Sequence, residues 1–271
     1  MDGNGWKVVM NDAGITISSD LFHLTSRSAE PTQLEHVVFD LQTALHPTYG
    51  QYCGLAKASE MIGERWGLLI MRDLLVSPKT ATGLGAGLPG IPVDLLATRL
   101  REMEVCGIVR RQDPGKDAEP ATYELTEYGR SVEDVLLALS RWGAAALDAP
   151  RPNDVVTEDS LVMALRSTFR PEAAEHVTAS FELSTGEVVV HAEVDRGELG
   201  AHPGPMPGAD LRITAGTVLK GVLDGTVSVA GAIASGQMSA IGNTELLDTF
   251  VELFQMPAVP SPTPASAPAM A

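Results

Sequence analysis

Cysteine, aromatic residues and positive charge are all scarce in this chain. Two cysteines in 271 residues, Cys53 and Cys106, cannot build a disulfide framework, and neither has a Cys or His neighbour at metal-ligand spacing. A disulfide-rich secreted scaffold and a structural zinc site are thereby excluded, and both side chains read as reduced thiols. No apolar run approaches the roughly 20 residues that span a bilayer, so no membrane partner is expected. Asp2 and a lone Lys7 stand where a secretory leader would place basic residues ahead of a long apolar stretch, which makes the cytoplasm the expected location. A nucleophile elbow, a paired-carboxylate signature and a phosphate-binding loop are missing too. His176, His191 and His202 share one region with Glu193, Asp195 and Glu198, but residue type alone assigns no catalytic role. The sequence therefore names no catalytic residue, no metal ligand and no cofactor, and it leaves open whether the protein is an enzyme.

What is present suits a soluble globular chain: 44% of residues are hydrophobic and 20% charged. At 28.6 kDa, two domains plus tails are the natural expectation. Lys and Arg number 19 against 35 Asp and Glu, for a net charge of −16. Residues 49–150 hold 11 basic and 14 acidic side chains. Phosphate neutralisation dominates DNA affinity, so a DNA-binding module there starts without the usual basic footprint.

Residues 1–48 are weakly patterned, apart from a helical spacing of Leu34, Val37, Val38, Leu41 and Leu45 that suggests a helix over 33–45. From Tyr52 the pattern sharpens. Leu55, Ala58, Met61 and Ile62 mark one helix, and Trp66, Leu69, Ile70 and Leu74 a second. A short third helix is expected over Lys79 to Leu88, and Pro92 suits the start of a fourth with Leu96, Leu100 and Met103 inward. Ile108 to Arg111 and Thr122 to Leu125 read as two strands around Asp113-Pro114-Gly115-Lys116. Thr126 should cap one last helix carrying Val132, Val135, Leu136, Leu139 and Trp142 on a single face. After the Pro150/Pro152 linker come a helix (Ser160 to Thr168) and strands at Val177 to Leu183 and Val188 to Val194. A loop at Pro203 to Gly208, a strand at Leu211 to Ile213, a helix at Val218 to Leu223, a strand at Gly236 to Ile241 and a helix around Leu247 to Phe254 complete the pattern. Residues 257–271, rich in proline, read as a disordered tail.

Five blocks in order carry a resemblance: Tyr49 to Ala58, Ile62-Gly63-Glu64-Arg65-Trp66, Leu88-Pro89-Gly90-Ile91, Arg99 to Glu104, and Tyr123 to Gly129. Over 49–148 the chain resembles HxlR-type winged-helix transcriptional regulators. Over 154–256 it resembles a sterol carrier protein domain, through Gly208-Ala209-Asp210-Leu211-Arg212-Ile213 and Ala234-Ser235-Gly236-Gln237-Met238. The fold class so implied is α+β, a winged helix-turn-helix followed by a mixed α/β domain with an apolar cavity. The resemblance further implies a homodimer, double-stranded DNA as a partner, and a hydrophobic small molecule in the second domain. Apolar residues that would line its cavity are Phe169, Phe181, Val190, Ile213, Leu219, Leu223, Met238, Ile241, Phe250 and Phe254, all of them first of all core. Cys53 falls on the N-terminal cysteine that some members use for redox sensing, although a buried helix cysteine is the blander reading.

The DNA-facing residues depart from that pattern. The third helix reads Lys79-Thr80-Ala81-Thr82-Gly83-Leu84-Gly85-Ala86-Gly87, and each mid-helix glycine costs about 0.8 to 1.0 kcal/mol against alanine. On the fourth helix Asp94, Thr98 and Arg101 fall opposite the core stripe, and a carboxylate near the helix start repels phosphate. Lys79, Arg101, Arg110, Arg111 and Lys116 remain as a phosphate-contacting set. Two functions stay open: a ligand-responsive regulator, and a descendant that has lost DNA binding and binds or transforms an apolar biosynthetic intermediate.

Overall fold

The computed structural model describes residues 7–11, 14–19, 22–26, 48–112 and 120–256. The chain divides into two units, Met1–Gly63 and Glu64–Ala271. In the first, β1 (Lys7–Asn11), β2 (Gly14–Ser19) and β3 (Phe22–Ser26) form an antiparallel meander in the order β1-β2-β3, with Val9 opposite Thr16 and Ile17 opposite Leu24. This sheet corrects the reading of residues 1–48 as weakly patterned: β1 sets Val8, Val9 and Met10 side by side, so its sequence does not alternate. The helix expected over 33–45 lies outside the described residues. In α1 (Gly54–Ile62), Glu60 accepts hydrogen bonds from Thr48 Oγ1 (2.9 Å) and the Tyr49 N–H (2.8 Å), tying the incoming chain to the helix.

The second unit opens with α2 (Gly67–Val76), whose Ile70, Met71, Leu74 and Leu75 are buried. Leu69, expected on that stripe, is 41% exposed. Then come β4 (Lys79–Thr80), α3 (Ala81–Gly87), α4 (Val93–Val105), β5 (Val109–Gln112) and β6 (Thr122–Leu125), the strands ordered β4-β6-β5. The Thr80 hydroxyl caps α3 by accepting from the Gly83 N–H at 3.0 Å, and buried Leu84 and Leu88 anchor this glycine-rich helix. On α4, Leu96, Leu100 and Met103 face the core as their spacing requires.

The single last helix is corrected to two, α5 (Glu127–Arg130) and α6 (Glu133–Ala144). Thr126 explains the break. Its Oγ1 accepts from the Gly129 N–H (3.0 Å) and donates to the Gly107 carbonyl (2.6 Å), drawing the short turn onto the start of β5. A Cβ at Gly129 would collide with the Ile108 carbonyl oxygen, so only glycine fits this approach.

The rest comprises α7 (Glu158–Thr168), a 3-10 turn (Pro171–Ala173), β7 (Thr178–Thr185), β8 (Val188–Asp195), β9 (Glu198–Pro203) and β10 (Leu211–Ala215). It ends with α8 (Val218–Leu223), α9 (Val229–Ala234), β11 (Met238–Gly242) and α10 (Leu246–Leu253). One five-stranded sheet runs β11-β10-β7-β8-β9, with β10 parallel to β7 and the other pairs antiparallel. Strand β9 and helix α9 were not anticipated, and Pro203 belongs to the end of β9 instead of opening a loop. Alternation along β8 buries Val190, Ala192 and Val194. Phe181 of β7 meets Phe250 and Phe254 in tilted and edge-on contacts, with ring centroids 4.9 to 6.2 Å apart, contacts worth about 0.5 to 1.5 kcal/mol each beyond area burial.

Candidate functional site

On α4 the outward stripe is Asp94, Ala97 and Arg101, with Thr98 half-buried beside it and Val93 82% exposed at the helix start. Ala97 was missed by the sequence reading. Thr98 Oγ1 donates to the Asp94 carbonyl at 2.9 Å, and Arg101 Nε donates to the Ala97 carbonyl at 3.2 Å, so both side chains fold back along their own helix. Arg99 is held by Glu64 (3.0 Å) and Glu102 (2.5 Å).

The phosphate-contacting set is only partly on this surface. Arg101, Arg110 and Arg111 are exposed, while Lys116 lies outside the described residues. Arg110 Nε donates to Glu124 Oε1 at 2.5 Å, and Gln112 donates to the same oxygen. Lys79 is turned inward: its Nζ sits 3.1 Å from Asp159 Oδ1 and donates to Ser77 Oγ at 3.1 Å.

That lysine belongs to a buried charged cluster joining the helix-turn-helix to α7. Asp73 on α2 is fully buried, and Arg72 contacts its Oδ1 at 2.7 Å while Oδ2 has no hydrogen-bond partner. Burial first, and the Asp159 carboxylate second, push the Asp73 carboxyl up to about 6 against the pull of Arg72 and Lys79. Gly87 closes the cluster; a Cβ there would lie 2.8 Å from Asp73 Oδ2 and 3.5 Å from Asp159 Oδ2.

A second tie runs through Arg166. Its guanidinium donates to the Leu75 carbonyl (3.2 Å), Glu133 Oε1 (3.3 Å) and the Ala201 carbonyl (3.2 Å), joining α2, α6 and β9. A charged residue near the end of an amphipathic helix carries no sequence signal for such a role.

Cys53 is exposed at the N-cap of α1, which corrects the buried-cysteine reading. It makes no capping hydrogen bond, and the N–H groups of Ala56 and Leu55 pull its thiol below the usual value. Of the apolar residues expected to line a cavity, Phe181, Val190, Ile213, Leu223, Met238, Phe250 and Phe254 are packed into the core, with Leu219 at its margin. Ile241 is 69% exposed: it sits on the outward face of β11, opposite Arg212 of β10. Phe169 is half-buried and lines an open cleft. His191 Nδ1 lies 2.9 Å from the Gly204 carbonyl. Among the described residues no group of His, Cys, Asp and Glu is placed to hold a metal ion, and no helix is long and apolar enough to cross a membrane.

Helices α3 and α4, joined by the Leu88 to Pro92 turn and followed by a two-stranded wing, define a winged helix-turn-helix. The HxlR-like helix-turn-helix model matches residues 61–150. The HTH-type transcriptional regulator YtcD of Bacillus subtilis is 36% identical over 85 residues, 31% of this chain and 68% of that protein. The HTH-type transcriptional regulator Mb3122 of Mycobacterium bovis is 37% identical over 98 residues, 36% of this chain, and the chain spans 60% of that relative's length. A crystal structure of ytcD is 34% identical, with a TM-score of 0.33, covering 34% of this chain and 94% of that one. The chain belongs to the HxlR-like helix-turn-helix family.

Proposed function

We propose that the protein is a dimeric transcriptional regulator that binds DNA through α4 and the wing and answers a hydrophobic small molecule held by its C-terminal region. The observation that carries this reading is the Lys79–Asp159 contact. Lys79 opens the strand that leads directly into α3, so the contact gives a shift of α7 a direct route to the helix-turn-helix. Ligand binding shifts that equilibrium only by its differential affinity for the two arrangements. The sterol-carrier resemblance of residues 154–256 supports the choice of an apolar ligand. Val135, Leu139 and Trp142 (70% exposed) lie along one face of α6 and supply the apolar surface a dimer would cover. Exposed Val93 suits contact with a thymine methyl, and Asp94 suits a cytosine amino group. Footprinting of the chain's own upstream DNA tests the reading; protection of a two-fold symmetric site is expected, and uniform cleavage would count against it.

A second reading has its own support. Lys79 and Arg110 are paired with carboxylates, and Asp94 stands at the start of α4. A protein that has left DNA would keep the winged helix as scaffold and bind or transform an apolar intermediate. Deleting the gene separates the two: altered transcripts with an unchanged product profile excludes the second.

A further inference from the structure

Between α6 and the C-terminal region lies an open cleft of about 680 Å³, within the 300 to 1,000 Å³ typical of small-molecule sites. Its frame is stitched by backbone hydrogen bonds, Gln255 N–H to the Thr168 carbonyl (3.0 Å) and Met256 N–H to the Leu223 carbonyl (2.9 Å), so the walls are preformed. Three cations line it. Arg170 is paired with Glu172 (3.1 Å) and Lys220 with Asp224 (3.0 Å). Arg141 is different: its Nη1 donates to the Ser167 carbonyl at 3.2 Å, and among the described residues no carboxylate lies within ion-pair distance of it. Apolar surface from Ala144, Ala145, Phe169 and Met256 flanks these charges.

We propose that this cleft is a binding site for an amphipathic organic monoacid, its anionic head on the Arg141 guanidinium and its apolar body along Ala145, Phe169 and Met256. Charge and lining argue together. The cleft holds one more cation than anion, and the unmatched one carries a planar fork suited to a carboxylate. A purely apolar molecule would cover that guanidinium with no anion to balance its charge. A cation would meet it head-on.

The site also straddles the joint. Arg141 belongs to the last helix of the winged helix, whereas Phe169 and Met256 belong to the C-terminal region. An acid bound there bridges the two parts and favours whichever arrangement brings them together. That regulatory consequence rests on the function proposed above; the binding site does not.

Isothermal titration calorimetry of the full chain with sodium decanoate and with decanol, in the absence of DNA, tests the site. Decanoate is expected to bind more tightly than decanol. Arg141→Gln should weaken decanoate by about tenfold or more, the scale of one charge-assisted hydrogen bond. Ala145→Trp, which fills the cleft while keeping every charge, should abolish binding, so the test survives if the arginine variant folds poorly. Equal affinity for decanol, undiminished binding in both variants, or no decanoate binding to the unaltered chain would each overturn the proposal. Because no DNA is present, failure here leaves the regulator reading intact, and failure to bind DNA leaves the cleft intact.

Discussion

Lys79 Nζ lies 3.1 Å from Asp159 Oδ1, so a lysine that the sequence places at the DNA surface is instead part of the joint between the winged helix and α7. Both side chains are largely buried there, next to the fully buried carboxyl of Asp73. Breaking a buried pair by removing one partner leaves an uncompensated charge, at a cost of about 3 to 5 kcal/mol. Lys79→Met should therefore lower stability at neutral pH by on the order of 3 kcal/mol in urea unfolding. The deficit should shrink near pH 5, where Asp73 takes up a proton. A variant as stable as the parent at neutral pH would mean that the contact carries no weight.

Asp73 gives the joint a pH dependence of its own. Its carboxyl is raised in the fold to about 6 from an ordinary 3.8. The folded state thus holds the proton more tightly than the unfolded chain. The stabilisation from this group is full below pH 3.8 and is lost as pH rises through about 6. The whole difference is roughly 3 kcal/mol at 1.36 kcal/mol per pH unit. Asp73→Asn keeps the shape, removes the buried charge, and should raise the midpoint of thermal unfolding at pH 7 while flattening the decline between pH 4 and 6. Unchanged pH dependence in that variant would assign the decline to other groups.

Two glycines of α3 should respond in opposite directions. A Cβ at Gly85 meets only Leu96 Cδ2, at an ordinary 3.9 Å. Gly85→Ala should stabilise by about 0.8 to 1.0 kcal/mol through helix propensity. Gly87→Ala drives a methyl to 2.8 Å from Asp73 Oδ2 inside a locked cluster and should destabilise by about 1 to 3 kcal/mol. Chemical denaturation of the two variants gives both signs in one experiment.

Much of this was legible beforehand. The extent of β6 and α8, and the inward stripe of α4, follow from spacing, proline placement and turn residues alone. Strand β9 was not, because Glu198-Leu199-Gly200-Ala201-His202-Pro203 at the sheet edge shows little alternation and ends in proline. Helix α9 reads Val229-Ala230-Gly231-Ala232-Ile233-Ala234, without a polar residue to set off an apolar stripe. The joint was invisible for a different reason. Lys79 and Arg166 look like solvated charges until the fold brings Asp159, Leu75 and Glu133 to them.

Cys53 should react early among thiols. The N–H groups at the start of α1 hold its thiol below the ordinary 9.0, and it is exposed. Its alkylation by iodoacetamide should therefore rise with pH along a curve displaced below that value and run ahead of half-buried Cys106 at pH 7. Mass spectrometry of partially alkylated protein reads both sites. Faster labelling of Cys106 would contradict the assignment.

Fluorescence anisotropy of the full chain on its own upstream duplex, against a random duplex of equal length across a salt series, decides whether α4 and the wing read DNA. With Lys79 turned inward and Arg110 paired to Glu124, few phosphates are neutralised. Preference for the upstream sequence is expected, with a salt slope shallower than that of a winged helix carrying a basic DNA-facing surface. Equal binding of both duplexes, or none even at the lowest salt, would contradict it.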